Sequence, residues 1–112
     1  MAFIARNGDS GEVVTIAATG TTSNAFDARG DITFGVFIPT GFEGTSIGFT
    51  TCHVDDGTFI TAYDAAGVAL AVVVSDPGYF PLPAELAAVS FFKIVSNATE
   101  TSERALRVVS KG

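Results

Sequence analysis

The sequence predicts an all-β chain: a single antiparallel β-sandwich, jelly-roll-like, with seven or eight strands. Three observations predict it. Apolar residues alternate with small or polar ones in run after run, the period of two that marks half-buried strands. Turn-forming clusters separate these runs, and the chain holds twelve Gly against four Pro. Only one short stretch has helical character, and many short strands with little helix mean a sandwich or barrel. Long connections at 19–31 and 75–89 favour the jelly-roll-like order over an up-and-down barrel.

The chain has 112 residues, 47% of them hydrophobic and ten of them Phe, enough for one domain with a core that needs no disulfide or metal. Residues 1–11 read as an N-terminal arm with Phe3 and Ile4 as its apolar part, and 12–112 as the sandwich. EVVTIAA (12–18) is the first strand. TGTTSNAFDARGD (19–31) reads as a loop without an element of its own, anchored by Phe26. DITFGVFIP (31–39) places Ile32, Phe34, Val36 and Ile38 on one face and Phe37 on the other, and ends at Pro39. TGFEG (40–44) is a turn carrying Phe42.

From Thr45 to Val74 the reading is a three-strand antiparallel meander, TSIGFTTCHV, TFITAYD and VALAVVV. Its turns are Asp55-Asp56-Gly57 and Asp64-Ala65-Ala66-Gly67, where glycine takes positive φ without steric cost. Asp76-Pro77-Gly78 is a turn and Tyr79 to Leu82 a short edge strand. PAELAAV (83–89) holds one helical turn opened by Pro83. SFFKIVS (90–96) points Phe92 and Ile94 inward and Lys93 out. NATETSER (97–104) is a polar loop. RALRVVSK (104–111) is the last strand, with Leu106 and Val108 in and Arg107 out. The expected core is Ile32, Phe34, Val36, Ile47, Phe49, Phe59, Val72, Phe92, Ile94, Leu106 and Val108.

The formal charge of −6 argues against nucleic acid, whose phosphates need clustered Lys and Arg. No run approaches the roughly 20 apolar residues of a membrane helix. No secretory signal opens the chain, so synthesis in the cytoplasm is expected. The only cysteine, Cys52, reads as a small buried hydrophobe; its neighbour His53, the only histidine, points to the opposite strand face, so the two form no dyad. With one His and one Cys, zinc is not expected. Asp55, Asp56 and Asp64 are turn formers ahead of calcium ligands. Asn97-Ala98-Thr99 matches a glycosylation sequon. No catalytic constellation emerges, and the expectation is a protein that is not an enzyme and takes no cofactor or metal.

Two loop segments are unusually apolar: TGFEG with Phe42, and DPGYFPLP with Tyr79, Phe80 and Leu82. Loops face water, where such residues have no reason to gather. Together with Phe3 and Ile4 they are the candidate interface, held in the second segment by Pro77, Pro81 and Pro83. The rival reading is that both loops fold back and plug the ends of the sandwich. A mean hydropathy of +0.42 points the same way as an interface, since symmetric assembly buries excess apolar surface. Tyr63, Tyr79, Phe80 and Phe42 also suggest an aromatic platform for sugar.

The run PTGFEGTSIGFTTCHVDDGTFITAYDAAGVALAVVV, followed by YFPLPAELAAVSFFKIVS, resembles small structural proteins encoded in the virion gene clusters of tailed bacteriophages. The matching positions are Pro39, Ile47, Phe49, Asp56, Gly57, Thr58, Phe59, Tyr63, Asp64, Gly67, Tyr79, Phe92, Lys93 and Ile94. Such domains are also similar to the galactose-binding-like jelly roll, which hosts many functions. The resemblance implies a head or tail component of the virion, first of all a capsid decoration or cement protein. Its implied partners are the major capsid protein or other virion proteins, and further copies of itself in a homo-oligomer, a trimer ahead of a dimer. The alternative is a carbohydrate-binding or host-adhesion module of a fibre. The resemblance carries over no catalytic residue.

Overall fold

The computed structural model describes residues 11–54 and 57–111; Phe3, Ile4, Asp55 and Asp56 lie outside them. Nine strands stand among the described residues. They are β1 (Gly11–Ile16), β2 (Phe26–Asp27), β3 (Thr33–Ile38), β4 (Ser46–Cys52), β5 (Ile60–Thr61), β6 (Ala71–Val73), β7 (Gly78–Pro81), β8 (Phe91–Ser96) and β9 (Arg104–Lys111). A 3-10 turn spans Ala84–Ala88, with Pro83 as its N-cap.

The strands form two antiparallel sheets. The first has the order β1-β9-β3-β7. The second has the order β2-β8-β4-β5, with β6 also on β4. First strand pairs with last, second with second-last, and third with β7. That nesting is a chain doubled into one long hairpin and wound into two packed antiparallel layers, a β-sandwich. Six of the eight connections among the described strands cross between the layers.

Alternation along the strands explains the layers. On β3, Phe34, Val36 and Ile38 are buried; on β9, Leu106, Val108 and Ser110; on β1, Val14 and Ile16. Opposite them β4 offers Ile47 and Phe49, and β8 offers Phe92 and Ile94. Phe92 is fully buried and sits 5.2 Å from Phe26, 5.6 Å from Phe34 and 6.1 Å from Phe49, ring centre to ring centre. Two of these contacts are edge-on, the arrangement aromatic quadrupoles favour. Burial of each such ring stabilises the fold by about 1.5–3 kcal/mol.

The structure corrects several expectations. There are nine strands rather than seven or eight, because the 19–31 segment contributes β2 and two bridges, Ile16 to Ser23 and Thr22 to Val95. The 45–74 region is not a meander. The third run, β6, pairs with the first, β4, at Ser46, Ile47 and Gly48. The second run, β5, takes Thr50 and Thr51 of the same strand. Both share one edge of β4, and the chain between them leaves as a narrow hairpin, pinned by the Tyr63–Ala69 bridge and by Leu70 N–H on the Ala62 carbonyl at 2.9 Å. Gly67 closes its turn at φ +80°, as the sequence expects.

Ile32 is 63% exposed, since β3 begins one residue later and Ile32 lies in the connection just before it. Phe59 is half-buried outside the core, with the Lys93 ammonium 4.4 Å from its ring centre on the outer side of the second sheet. Val72 is partly buried against the core.

Three crossovers meet at one end of the sandwich, and a fully buried carboxylate, Glu100, ties them. Its Oε1 accepts Glu43 N–H at 2.9 Å and Arg104 Nε–H at 3.0 Å. Its Oε2 accepts Gly44 N–H and the Ser96 hydroxyl, both at 3.0 Å. Its backbone closes on the third crossover: Thr19 N–H donates to its carbonyl, and its own N–H donates to the Gly20 carbonyl. A buried carboxylate persists only when its lone pairs are satisfied in this way. Gly44 must be glycine here, because a Cβ would stand 2.3 Å from Ser96 Oγ and 2.9 Å from the Phe42 ring. Asn97 completes the clamp, its Oδ1 accepting Thr45 N–H at 2.9 Å and its amide donating to Thr45 Oγ1 at 3.0 Å. The sequon asparagine is therefore engaged in holding the β3–β4 crossover.

Candidate interaction surface

The outer face of the first sheet is the site that strand register builds. Val13 stands opposite Arg107, Arg107 opposite Phe37, and Phe37 opposite Tyr79, one row across all four strands. The next row runs through Val109, Gly35 and Pro81. Each lies at the parity opposite to the core residues of its strand, so each points away from the core. Phe37 is 48% exposed and Tyr79 50%. Their rings lie 4.9 Å apart, a cross-strand aromatic pair.

Gly35 explains how Tyr79 is held. A Cβ at that position would come within 2.0 Å of the Tyr79 hydroxyl oxygen. The phenol therefore lies flat across the bare backbone of β3, and any side chain there would lift it. Arg107, central in the row, and Lys111, further along β9, make no ion pair among the described residues. The other described cations are engaged: Arg29 with Asp27 at 2.8 Å, Arg104 with Glu100, and Lys93 over Phe59. No acidic residue occupies an outward strand position of this sheet. In a chain of twelve acidic and six basic residues, the face is aromatic and positive.

The other end of the sandwich carries two shallow clefts. One, of about 510 Å³, is lined chiefly by Cys52, His53, Val54, Gly57, Ile60 and Val89. The second, of about 470 Å³, lies beside Asp27, Arg29, His53 and Phe91. Cys52 is half-buried and His53 exposed, one residue apart on the strand and its extension. Arg29 lies 4.8 Å from the Phe91 ring centre. Its guanidinium, hydrogen-bonded to Asp27, holds that carboxyl below its ordinary range. Asp64 caps its own hairpin, Oδ1 accepting Ala66 N–H at 2.9 Å and Val68 N–H at 3.0 Å. No group of three metal-ligating side chains occurs among the described residues.

The structure separates the interface candidates read from the sequence. Phe42 is 4% exposed and Leu82 8%, both inside the chain's own core. Phe80 is partly buried against that core. Within the single chain these three side chains pack inward rather than facing out. Tyr79 alone among the described candidates faces out, and it does so beside Phe37 rather than beside Tyr63, which is 60% exposed on the second sheet's hairpin. Phe3 and Ile4 lie outside the described residues. Sequence reasoning placed Phe37 on the far side of its strand and Arg107 outward, but not in one row; outward parity on β3, β7 and β9 was the available signal. Glu100 falls in the polar 97–104 segment, and nothing in the adjacent sequence marks it as buried.

No protein-family model matches this chain, and no curated protein does. Among solved structures it is similar to the crystal structure of the SPBc2 prophage-derived protein YomS, with a TM-score of 0.56 over 98% of this chain and 100% of that one. Sequence identity is 11%, so the likeness is one of fold.

Proposed function

We propose that this chain is a non-enzymatic structural protein of a bacteriophage particle that works through protein–protein contacts, as a capsid decoration or cement protein on the virion. The observation that carries the reading is the aromatic, positively charged row Val13–Arg107–Phe37–Tyr79 on an open sheet. An apolar face of this kind marks a contact site, and aromatic residues and Arg are the side chains enriched at interface centres. The resemblance to tailed-phage virion proteins and the shared fold of a prophage-derived protein support the phage setting. The partners in this reading are the major capsid protein or another virion protein, together with further copies of the chain.

The test is co-sedimentation of the purified protein with particles assembled without it, followed by heating of the decorated particles. Association of the protein with the particles and a raised disruption temperature support the reading. Particles that never take up the protein refute it. The second reading, a carbohydrate-binding or host-adhesion module, is favoured by the same exposed ring pair, because sugars stack on aromatic faces. Glycan binding lost in Tyr79→Ser and Phe37→Ser, with no uptake by particles, would favour that reading over the first.

A further inference from the structure

The first sheet's outer face and the β5–β6 hairpin have complementary characters. The face carries exposed rings and the cations Arg107 and Lys111, with no acidic residue on its outward positions. The hairpin region exposes Ile60 at 65%, Tyr63 and Val68 at 60%, and Val73 at 80%. Its turn carries Asp64, whose Oδ1 is occupied by two backbone N–H groups and whose Oδ2 accepts none among the described residues. Among the described residues, one surface is therefore apolar with unpaired positive charge and the other apolar with a carboxylate oxygen that accepts no hydrogen bond. They stand on different sheets of the sandwich.

We propose that the outer face of the first sheet receives the β5–β6 hairpin of a second copy of this chain, head to tail. This rests on the assembly reading above and names its contact. Two faces apposed about a two-fold axis would gather Arg107 and Lys111 of both copies with no carboxylate between them, and like charges there disfavour the pairing. A heterologous contact instead sets Arg107 against Asp64 and the rings against Val73 and Val68. Such a contact leaves one face and one hairpin unused on each pair, so copies add until a ring closes or a filament grows. The ionic part of the contact weakens as salt rises.

Sedimentation velocity of the full chain tests this. Two variants are used: Phe37→Ser/Arg107→Ala removes the face, and Val73→Lys sets a cation on the hairpin against the cations of the face. Circular dichroism and the urea midpoint establish that each is folded; Tyr79→Ser replaces the first if it is not. We expect the wild-type chain to sediment above its 11.5 kDa mass, and less so at high salt. Each variant alone should run as a single chain. A one-to-one mixture should give a species of twice the chain mass and no larger, because it holds one intact face and one intact hairpin. A wild-type chain that stays single at high concentration and low salt overturns the proposal. So does either variant assembling like the wild type, or a mixture that stays single. A chain that is single in solution yet still binds particles overturns the head-to-tail contact and leaves the assembly reading in place.

Discussion

Two regions of this molecule depart from the usual placement of residues, in opposite senses. At the crossover end a carboxylate, Glu100, is fully buried. On the outer face of the first sheet two aromatic rings, Phe37 and Tyr79, are about half exposed on regular strands. The first departure is closed within the chain: four donors, from the β3–β4 crossover and from the strands either side of the β8–β9 crossover, meet two oxygens. The second is not closed within the described residues. The rings rest on each other and on Gly35, and Arg107 beside them makes no ion pair among the described residues. A satisfied anomaly reads as architecture, and an unsatisfied one reads as a place kept for something else.

That contrast can be broken by mutation. Glu100→Ala carries the largest expected effect. It leaves Arg104, 16% exposed at its side chain, and two backbone N–H groups without their acceptor. Removing one partner of a buried charged pair costs about 3–5 kcal/mol, and urea unfolding should show a loss of that order. A loss under about 0.5 kcal/mol, the range of surface substitutions, would mean that the β3–β4 and β8–β9 crossovers hold without the carboxylate. Gly44→Ala comes next, at about 1–3 kcal/mol from overpacking against Ser96 and Phe42. An unchanged melting temperature there would show that the loop relaxes freely.

A smaller effect sharpens the same region through pH. Glu43 accepts the backbone N–H and the hydroxyl of Thr101 and lies 3.7 Å from Arg104; these partners, the backbone bond first, hold its carboxyl below its ordinary range. A folded-state value below the unfolded one contributes stability at high pH that is lost as pH falls. The contribution is therefore complete above the unfolded value of about 4.3 and fades as pH drops through the folded one. Glu43 is solvent-exposed, so salt screens it. Wild type should exceed Glu43→Gln in stability at neutral pH, and the gap should close on acidification. A gap that is constant from neutral to strongly acidic pH would show that the carboxylate charge is irrelevant there.

How far the sequence could be read follows from the same contrast. Period-two alternation identified the buried faces of β3, β4, β8 and β9, because each strand has one wet side. It failed at Ile32, where alternation ran on past the start of the strand. It failed at β6 because pairing is decided by which edge of β4 is free, and two short runs can share one edge. It had no grip on Glu100, whose two backbone donors, Glu43 and Gly44, lie 57 and 56 residues away in sequence. Phe42 and Leu82 were legible as apolar loop residues, but burial by the chain's own core and burial by a partner look identical in one dimension. The outer row was hidden for a related reason: Arg107, Phe37 and Tyr79 come from three distant strands, and only register brings them together.

The smallest expected effect on stability is also the sharpest test. Phe37→Ser touches a half-exposed ring on a solvent face and should change unfolding free energy by no more than about 0.5–1 kcal/mol. The direct measurement is to titrate this variant and the wild type against particles assembled without the protein, with urea unfolding of both in parallel. We expect association to fall at least tenfold while the unfolding midpoint stays close to wild type. Association at wild-type strength, or a fall in stability large enough to explain the loss, would contradict the assignment of this face to a partner.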